Sequence, residues 1–429
     1  MNEKFKLTAL EKGWILYDVG NSAFILMVST LIPIFFNALA ESAGVHEDLY
    51  LSYWGYAGSI ATILVAVIGP VCGAIADRNN KRMIFLISLL VGVAACALLG
   101  AMNGWVAFLA MFILARVGYS ASIVFYDSML PEITSEDRMD KISSMGYAYG
   151  YIGSVIPFIV CLVLVLMCDS FGLTTGSAMT IAFILVSLWW IGCSLPLLKK
   201  YQQTAFQAPT REPVKDAFRQ LGNTLKAARE EKHIFLYLLS FFFFIDGVYT
   251  IIDMATAYGA ALGLDTTGLL LALLWTQFVA FPCSILFGRL SAKYDTGLLI
   301  KVCIACYTGI TVFGIFLVSQ WQFWVLATLV GMFQGGIQAL SRSYLGKIIP
   351  AERSGEFYGL MDIFGKGASF MGLAMVSLVS QVTAGITVDI FGISLQNENL
   401  AVGSLIILFI IGYLLFRKAD ALNKARSAV

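Results

Sequence analysis

Three ionisable side chains sit deep within long apolar stretches of the sequence: Arg116, Asp246 and Lys366. An ionised group in hydrocarbon costs at least ~2.5–3.5 kcal/mol, so it persists when it is paired or faces water. At 1.5 Å per residue each lies roughly 17–20 Å into a helix, near the middle of a bilayer. Arg116 or Lys366 could hold a carboxylate, the arginine through a bidentate fork, while Asp246 could meet an ammonium. Asp246, Tyr249, Thr250 and Asp253 fall at i, i+3, i+4 and i+7, one polar face on an apolar helix. That stripe either lines a wet cavity or bonds two aspartates to neighbouring helices. Arg116 and Asp127 are eleven residues apart, close to three turns, so they share a face with Tyr119 and Tyr126. Arg116 there either grips a ligand or pairs permanently with an acid of the same half.

Gln334, Gln338 and Arg342 repeat the device at i, i+4 and i+8. Gln338 is the expected substrate contact, and Arg342, nearer the helix end, the expected gate partner of Asp127 or Asp18. Asp362 and Lys366, at i and i+4, can neutralise one another. Tyr17, Asp18 and Asn21 stand one to two turns inside the first apolar run and suit gating or coupling. The rings of Tyr126 and Tyr249 suit either ligand stacking or helix packing.

These groups need a membrane scaffold to position them. The chain has 429 residues, 59% hydrophobic and 13% charged, with a mean hydropathy of +0.81. Soluble domains are nearer half apolar and about a quarter charged. Apolar runs long enough to cross ~30 Å of hydrocarbon fall near 13–40, 50–76, 82–102, 104–127, 141–168 and 175–198, then near 233–262, 266–291, 298–319, 321–349, 355–382 and 399–417. The expected fold is therefore all-α and polytopic: twelve transmembrane helices in two six-helix bundles, 1–198 and 233–429. A polar linker, 199–232, joins them, and its Phe206, Phe218, Leu221 and Leu225 suggest an amphipathic surface helix. All 28 Lys and Arg except Arg116 and Lys366 fall in the linker, at the termini, or in alternate loops and the span ends beside them. Cations are retained on the cytoplasmic side, so both termini and the linker are expected there.

The halves echo one another, as internal repeats would. Leu130-Pro131-Glu132 ends the fourth span and Ile349-Pro350-Ala351-Glu352 the tenth, each followed by a glycine-rich helix. A net charge of +1 gives no basic excess for nucleic acid. The eight cysteines lie in or beside apolar runs without metal-ligand spacing, so neither disulfides nor a metal site is expected. With His46 in an outer loop and His233 at a span's start, no nucleophile and base pair is apparent, which argues against an enzyme. No cofactor is expected. The apolar stretch after Lys12 is too long for a signal-peptide core, so the first span is expected to stay.

Between the second and third spans stands Gly73-Ala-Ile-Ala-Asp77-Arg78-Asn-Asn-Lys81-Arg82. Gly73 allows close packing, and Asp77 can cap a neighbouring helix or pair with a cation. The loop resembles the signature of the major facilitator superfamily. Its counterpart after the eighth span keeps Gly288 and Lys293 but has Ala292 where the acid would stand, so a weaker clamp is expected in the second half.

Four further stretches narrow the resemblance: Trp14-Ile-Leu-Tyr17-Asp18-Val-Gly-Asn21-Ser22; Phe125-Tyr126-Asp127-Ser-Met-Leu130-Pro131-Glu132; Ser143-Ser144-Met-Gly146-Tyr-Ala-Tyr-Gly150; and Gln338-Ala-Leu-Ser341-Arg342-Ser343-Tyr344 with Glu352 to Gly359 beyond. Together they resemble the vacuole-effluxer-like branch, whose eukaryotic members are associated with amino-acid release from the vacuole. Val19-Gly20 replaces that family's usual Trp-Ala, and Asp127 stands where an Asn is usual, adding a titratable group. The resemblance implies a secondary transporter that alternately exposes a central site, lined by spans one, four, seven and ten, and exports small organic solutes. An amino acid or similar zwitterion is the expected ligand, with protons as the candidate coupling ion, in a monomer surrounded by lipid of the bacterial cytoplasmic membrane. Proton-coupled transport of a sugar, drug or lipid, or lipid scrambling, is the alternative.

Overall fold

The computed structural model describes residues 5–46, 49–78, 81–208, 231–383, 386–390, 393–395 and 397–427. Every expected span is helical. The first is α1 (Ala9–Val28) and α2 (Leu31–Ser42), interrupted at Ser29 and Thr30. Then come α3 (Tyr50–Ala76), α4 (Lys81–Leu98), α5 (Trp105–Ser128), α6 (Glu136–Leu166) and α7 (Thr175–Lys200). After the linker follow α8 (Lys232–Ala261), α9 (Thr266–Leu290), α10 (Thr296–Ile315), α11 (Gln320–Ile348) and α12 (Ser354–Val382). The last span is α13 (Asn397–Gly403) with α14 (Leu405–Ser427). Among the described residues ten segments are long and apolar enough to cross a membrane, and α3 and α12 run 27 and 29 residues. Of the linker helix expected from Phe206, Phe218, Leu221 and Leu225, only Phe206 is described, and it is exposed in a segment with no helix; the other three positions fall outside the described residues.

Local sequence explains the helix starts. Thr8 and Glu11 form a reciprocal capping box at α1, Glu11 N donating to Thr8 Oγ1 (3.1 Å) and Thr8 N to Glu11 Oε2 (2.7 Å). Asp265 and Asp295 accept from Gly268 N (2.6 Å) and Leu298 N (3.0 Å) to cap α9 and α10. Helix α6 begins at Glu136, five residues before the apolar run, because Glu136 and Asp137 suit a helix N-terminus. One addition to the all-helical expectation is a hairpin in the 383–398 loop: β1 (Val388–Ile390) pairs antiparallel with β2 (Ile393–Leu395). The eight cysteines are all unpaired thiols.

The chain packs as two units. One comprises Met1–Ser135, Tyr149–Leu221 and Pro350–Gly359; the other comprises Glu136–Ala148, Gly222–Ile349 and Leu360–Val429. In the first, α1 packs on α7 and α4 on α5. Helices α4 and α5 touch at Gly92 and Gly118, where a Cβ on Gly118 would lie 2.6 Å from the Gly92 Cα. In the second, α8 packs on α14, and α11 on α9 and α10. Each unit also holds the first turns of a helix whose remainder belongs to the other: α6 starts in the second unit, α12 in the first.

Candidate functional site

The signature loop does what its residues suggest. Gly73 and Gly355 let the end of α3 and the start of α12 meet backbone to backbone. Asp77 then reaches the helix start, accepting from Gly355 N at Oδ1 (2.9 Å) and from Glu356 N at Oδ2 (3.0 Å). These amides are orphan donors of a helix N-terminus and favour an anion. Lys81 Nζ stands 3.4 Å from Asp77 Oδ1 and donates to Glu132 Oε1 (2.6 Å) and Ser354 Oγ (2.8 Å). The side chains of Asp77, Lys81 and Glu132 are fully enclosed. Burial pushes the Asp77 carboxyl up to about 6, against the pull of Lys81 and the two amides. Of the expected loop cations, Arg78 NH1 donates to Ala74 O (3.1 Å) and Arg82 is exposed.

The second unit carries a different latch. Asp140, in the second turn of α6, accepts from Thr296 Oγ1 (2.5 Å) of α10 and from Ser343 Oγ (2.6 Å) and Lys347 Nζ (2.7 Å) of α11. One turn on, Ser143 Oγ donates to Ala339 O (2.7 Å). Arg342 Nε donates to Ser143 Oγ (2.9 Å) and NH2 to the Ser143 carbonyl (2.9 Å), with its guanidinium 4.4 Å from the Tyr147 ring centroid. An acid thus serves here too, but it stands on the helix rather than at position 292 of the loop. In the sequence Asp140 carries no expected role, Lys347 counts only among the orientation cations, and Glu132 stands in a motif without an assigned partner.

The span-one and span-four motifs form an aromatic joint in the first unit. Trp14 stacks on Tyr126 (4.3 Å between centroids) and its Nε1 donates to the Tyr126 carbonyl (3.0 Å). Tyr17 packs on Tyr126 and shares a 2.6 Å hydrogen bond with Ser122. Tyr126, expected among the substrate contacts, is fully buried in this packing. Asn21 Nδ2 donates to Tyr17 O (3.0 Å) and Asp18 Oδ1 (3.4 Å), and Asp18 is buried where Gly150 of α6 passes its carbonyl. Asp127 is half-buried. Half-buried Arg116 makes no ion pair or hydrogen bond with any described residue.

In the second unit, Asp246 is fully buried. Its Oδ1 accepts from Thr250 Oγ1 (3.3 Å) and from the Gly372 amide of α12 (2.9 Å), while Oδ2 has no hydrogen-bond partner among the described residues. The polar stripe of α8 is therefore split: Asp246 and Thr250 face α12, Tyr249 is half-buried and Asp253 is exposed. Gln338 is half-buried and Gln334 buried, and neither makes a hydrogen bond to the described residues. Asp362 is half-buried on α12; the Lys366 side chain falls outside the described residues. A separate apolar cavity beside this stripe is lined by Thr250, Met254, Tyr258, Thr311, Leu326 and Val402. None of its described lining residues is charged, which makes it unsuited to a charged solute.

The model of the vacuole effluxer Atg22-like family matches residues 9–428. The uncharacterized MFS-type transporter YxiO of Bacillus subtilis (strain 168) is 37% identical over 413 residues, which cover 95% of this chain and 94% of that protein. Autophagy-related protein 22-2 of Aspergillus clavatus is 28% identical over 56% of this chain, a match spanning 43% of its own length. Among solved structures, the major facilitator superfamily transporter FucP in its outward conformation superposes with a TM-score of 0.69 at 13% identity, covering 96% of this chain and 97% of that one. A bacterial homologue of the iron transporter ferroportin in its outward-facing state gives 0.68 at 13% identity, covering 96% and 98%. At such identity the likeness shows the fold alone.

Proposed function

Since the chain belongs to the vacuole effluxer Atg22-like family of the major facilitator superfamily, and so is a multi-pass membrane transporter, we propose that it exports a small zwitterionic solute, an amino acid or close relative, from the cytoplasm by alternating access. The observation that carries the reading is Arg116. A guanidinium within a membrane span that pairs with no described residue is costly unless water or a ligand anion meets it. Its planar fork suits a carboxylate. Gln338, also without a hydrogen-bond partner among the described residues, and Tyr249 are the proposed polar contacts on the second unit, each on its own local geometry. Asp246 is proposed as the ammonium partner once α12 withdraws Gly372 from it. Asp18, Asn21, Asp127, Asp253, Arg342 and Asp362 are the proposed gating and coupling groups, with the linker and both termini on the cytoplasmic side.

The test is ligand-dependent thermal stabilisation of the detergent-purified protein across amino acids, sugars and lipids. At 100 times its Kd, a ligand specific for the folded state adds ~2.7 kcal/mol. An amino acid that stabilises the parent and not Arg116→Ala supports the assignment; one that stabilises both equally refutes it.

A further inference from the structure

The start of the interdomain linker is not slack chain. Residues Tyr201 to Gln207 run extended, with Tyr201 buried, Gln203, Ala205 and Gln207 half-buried and the residues between them exposed, the alternation of a strand lying on a surface. What they lie on is the signature loop and Glu132. Tyr201 Oη donates to Glu132 Oε1 (3.0 Å), and the amides of Thr204 and Ala205 donate to Glu132 Oε2 (2.7 and 3.2 Å). Gln203 closes both ends of the loop: its Oε1 accepts from Lys81 N (3.0 Å), the first amide of α4, and its Nε2 donates to Ala76 O (3.1 Å), the last residue of α3. The Gln207 amide donates to the Asp77 carbonyl (2.7 Å).

Buried carboxylates need several donors, and Glu132, with its side chain fully enclosed, finds one in Lys81 and the rest in this segment. Without it, Oε2 would lose both amide donors and Glu132 would reorient toward water, taking its share of Lys81 along. We propose that Tyr201–Gln207 is a positioning strap: it holds Glu132 and Lys81 in the geometry with which Lys81 and Asp77 grip the start of α12. The linker thereby sets how readily that helix start lets go during the transport cycle. This inference goes beyond the choice of substrate and does not depend on it.

Hydrogen exchange of the full-length protein in lipid nanodiscs tests the strap, because the Gly355 and Glu356 amides bonded to Asp77 report release directly. Tyr201→Phe, which keeps the ring, and Gln203→Ala should each speed exchange at those two amides ~10-fold while leaving α11 unchanged, the scale expected for one lost hydrogen bond to the Glu132 carboxylate or two lost bonds to backbone groups. In a Glu132→Gln background, Tyr201→Phe should add less than about twofold, because the strap acts through the carboxylate. Unchanged exchange at 355–356 in Tyr201→Phe would overturn the proposal. So would an undiminished effect in the Glu132→Gln background, or an equal acceleration throughout the molecule.

Discussion

Gly73→Ala is the sharpest perturbation available at the grip on α12. An added Cβ would lie 2.7 Å from the Gly355 carbonyl carbon and closer still to its oxygen, with Glu356 N at 3.3 Å. Carbon atoms in contact sit ~3.5–4.0 Å apart, so the two backbones must separate by about 1 Å. Such a shift carries the 2.9 and 3.0 Å bonds from Gly355 and Glu356 to Asp77 beyond hydrogen-bonding range. Two bonds to a charged acceptor, each worth about 1.5–3 kcal/mol and partly recovered by relaxation, give a net loss of ~2–4 kcal/mol, or roughly 30- to 1,000-fold in the docking equilibrium. Limited trypsin digestion reads it, because Arg353 immediately precedes α12 and cleavage after it follows the undocked population when reclosing is fast. The substitution should accelerate that cleavage at least ~30-fold while cleavage at exposed Arg417 and Lys418 stays constant. Gly69→Ala, where an added Cβ meets nothing within 4 Å, should leave the rate unchanged. Equal rates in Gly73→Ala and the parent would show that these backbones do not cross there.

The other expectations concern the second latch, pH and the buried stripe. Asp140→Asn strands Lys347 and should cost about 2–4 kcal/mol, lowering the thermal midpoint in detergent; adding Lys347→Met should recover part of the loss, and a double variant no more stable than the single would show that the pair is not the link. Because burial raises Asp77 to about 6, docking of α12 is strongest below pH ~4, weakens as pH rises through 6 and is flat above ~7. Between pH 7 and 5, protection of the Gly355 and Glu356 amides, corrected for intrinsic exchange, should therefore rise ~10-fold, and Asp77→Asn should abolish the trend. Gly372→Ala places a Cβ against Asp246 and Thr250, so it should destabilise the protein by ~1–3 kcal/mol, whereas a neutral outcome in thermal unfolding would remove α12 from the Asp246 carboxylate.

Spans and the Asp77 loop were legible because each rests on a local signal: run length, positive charge at alternate ends, and a Gly four residues before an Asp. The second latch was not. Asp140 and Lys347 are 207 residues apart, and charges at span ends read as orientation signals before they read as partners. Ala292 pointed to a weaker clamp, yet the acid had moved to α6, a substitution that only packing reveals. The stripe on α8 shows a subtler limit. Periodicity placed Asp246, Thr250 and Asp253 on one face, but it does not say what that face meets; Asp246 meets the Gly372 amide and Asp253 is exposed. Tyr126 was read as an aromatic that could serve a ligand or the core, and its stacking on Trp14 puts it in the core. The strap on Glu132 left no periodic trace, since an extended segment of seven residues resembles any polar linker.

Counterflow in proteoliposomes tests the transport proposal most directly. Vesicles holding the purified chain and loaded with an unlabelled amino acid should transiently accumulate the labelled compound, saturably, and Arg116→Ala should lose that accumulation. Flux that never saturates, shows no counterflow, or persists undiminished in Arg116→Ala would contradict a carrier that recognises a carboxylate through this arginine.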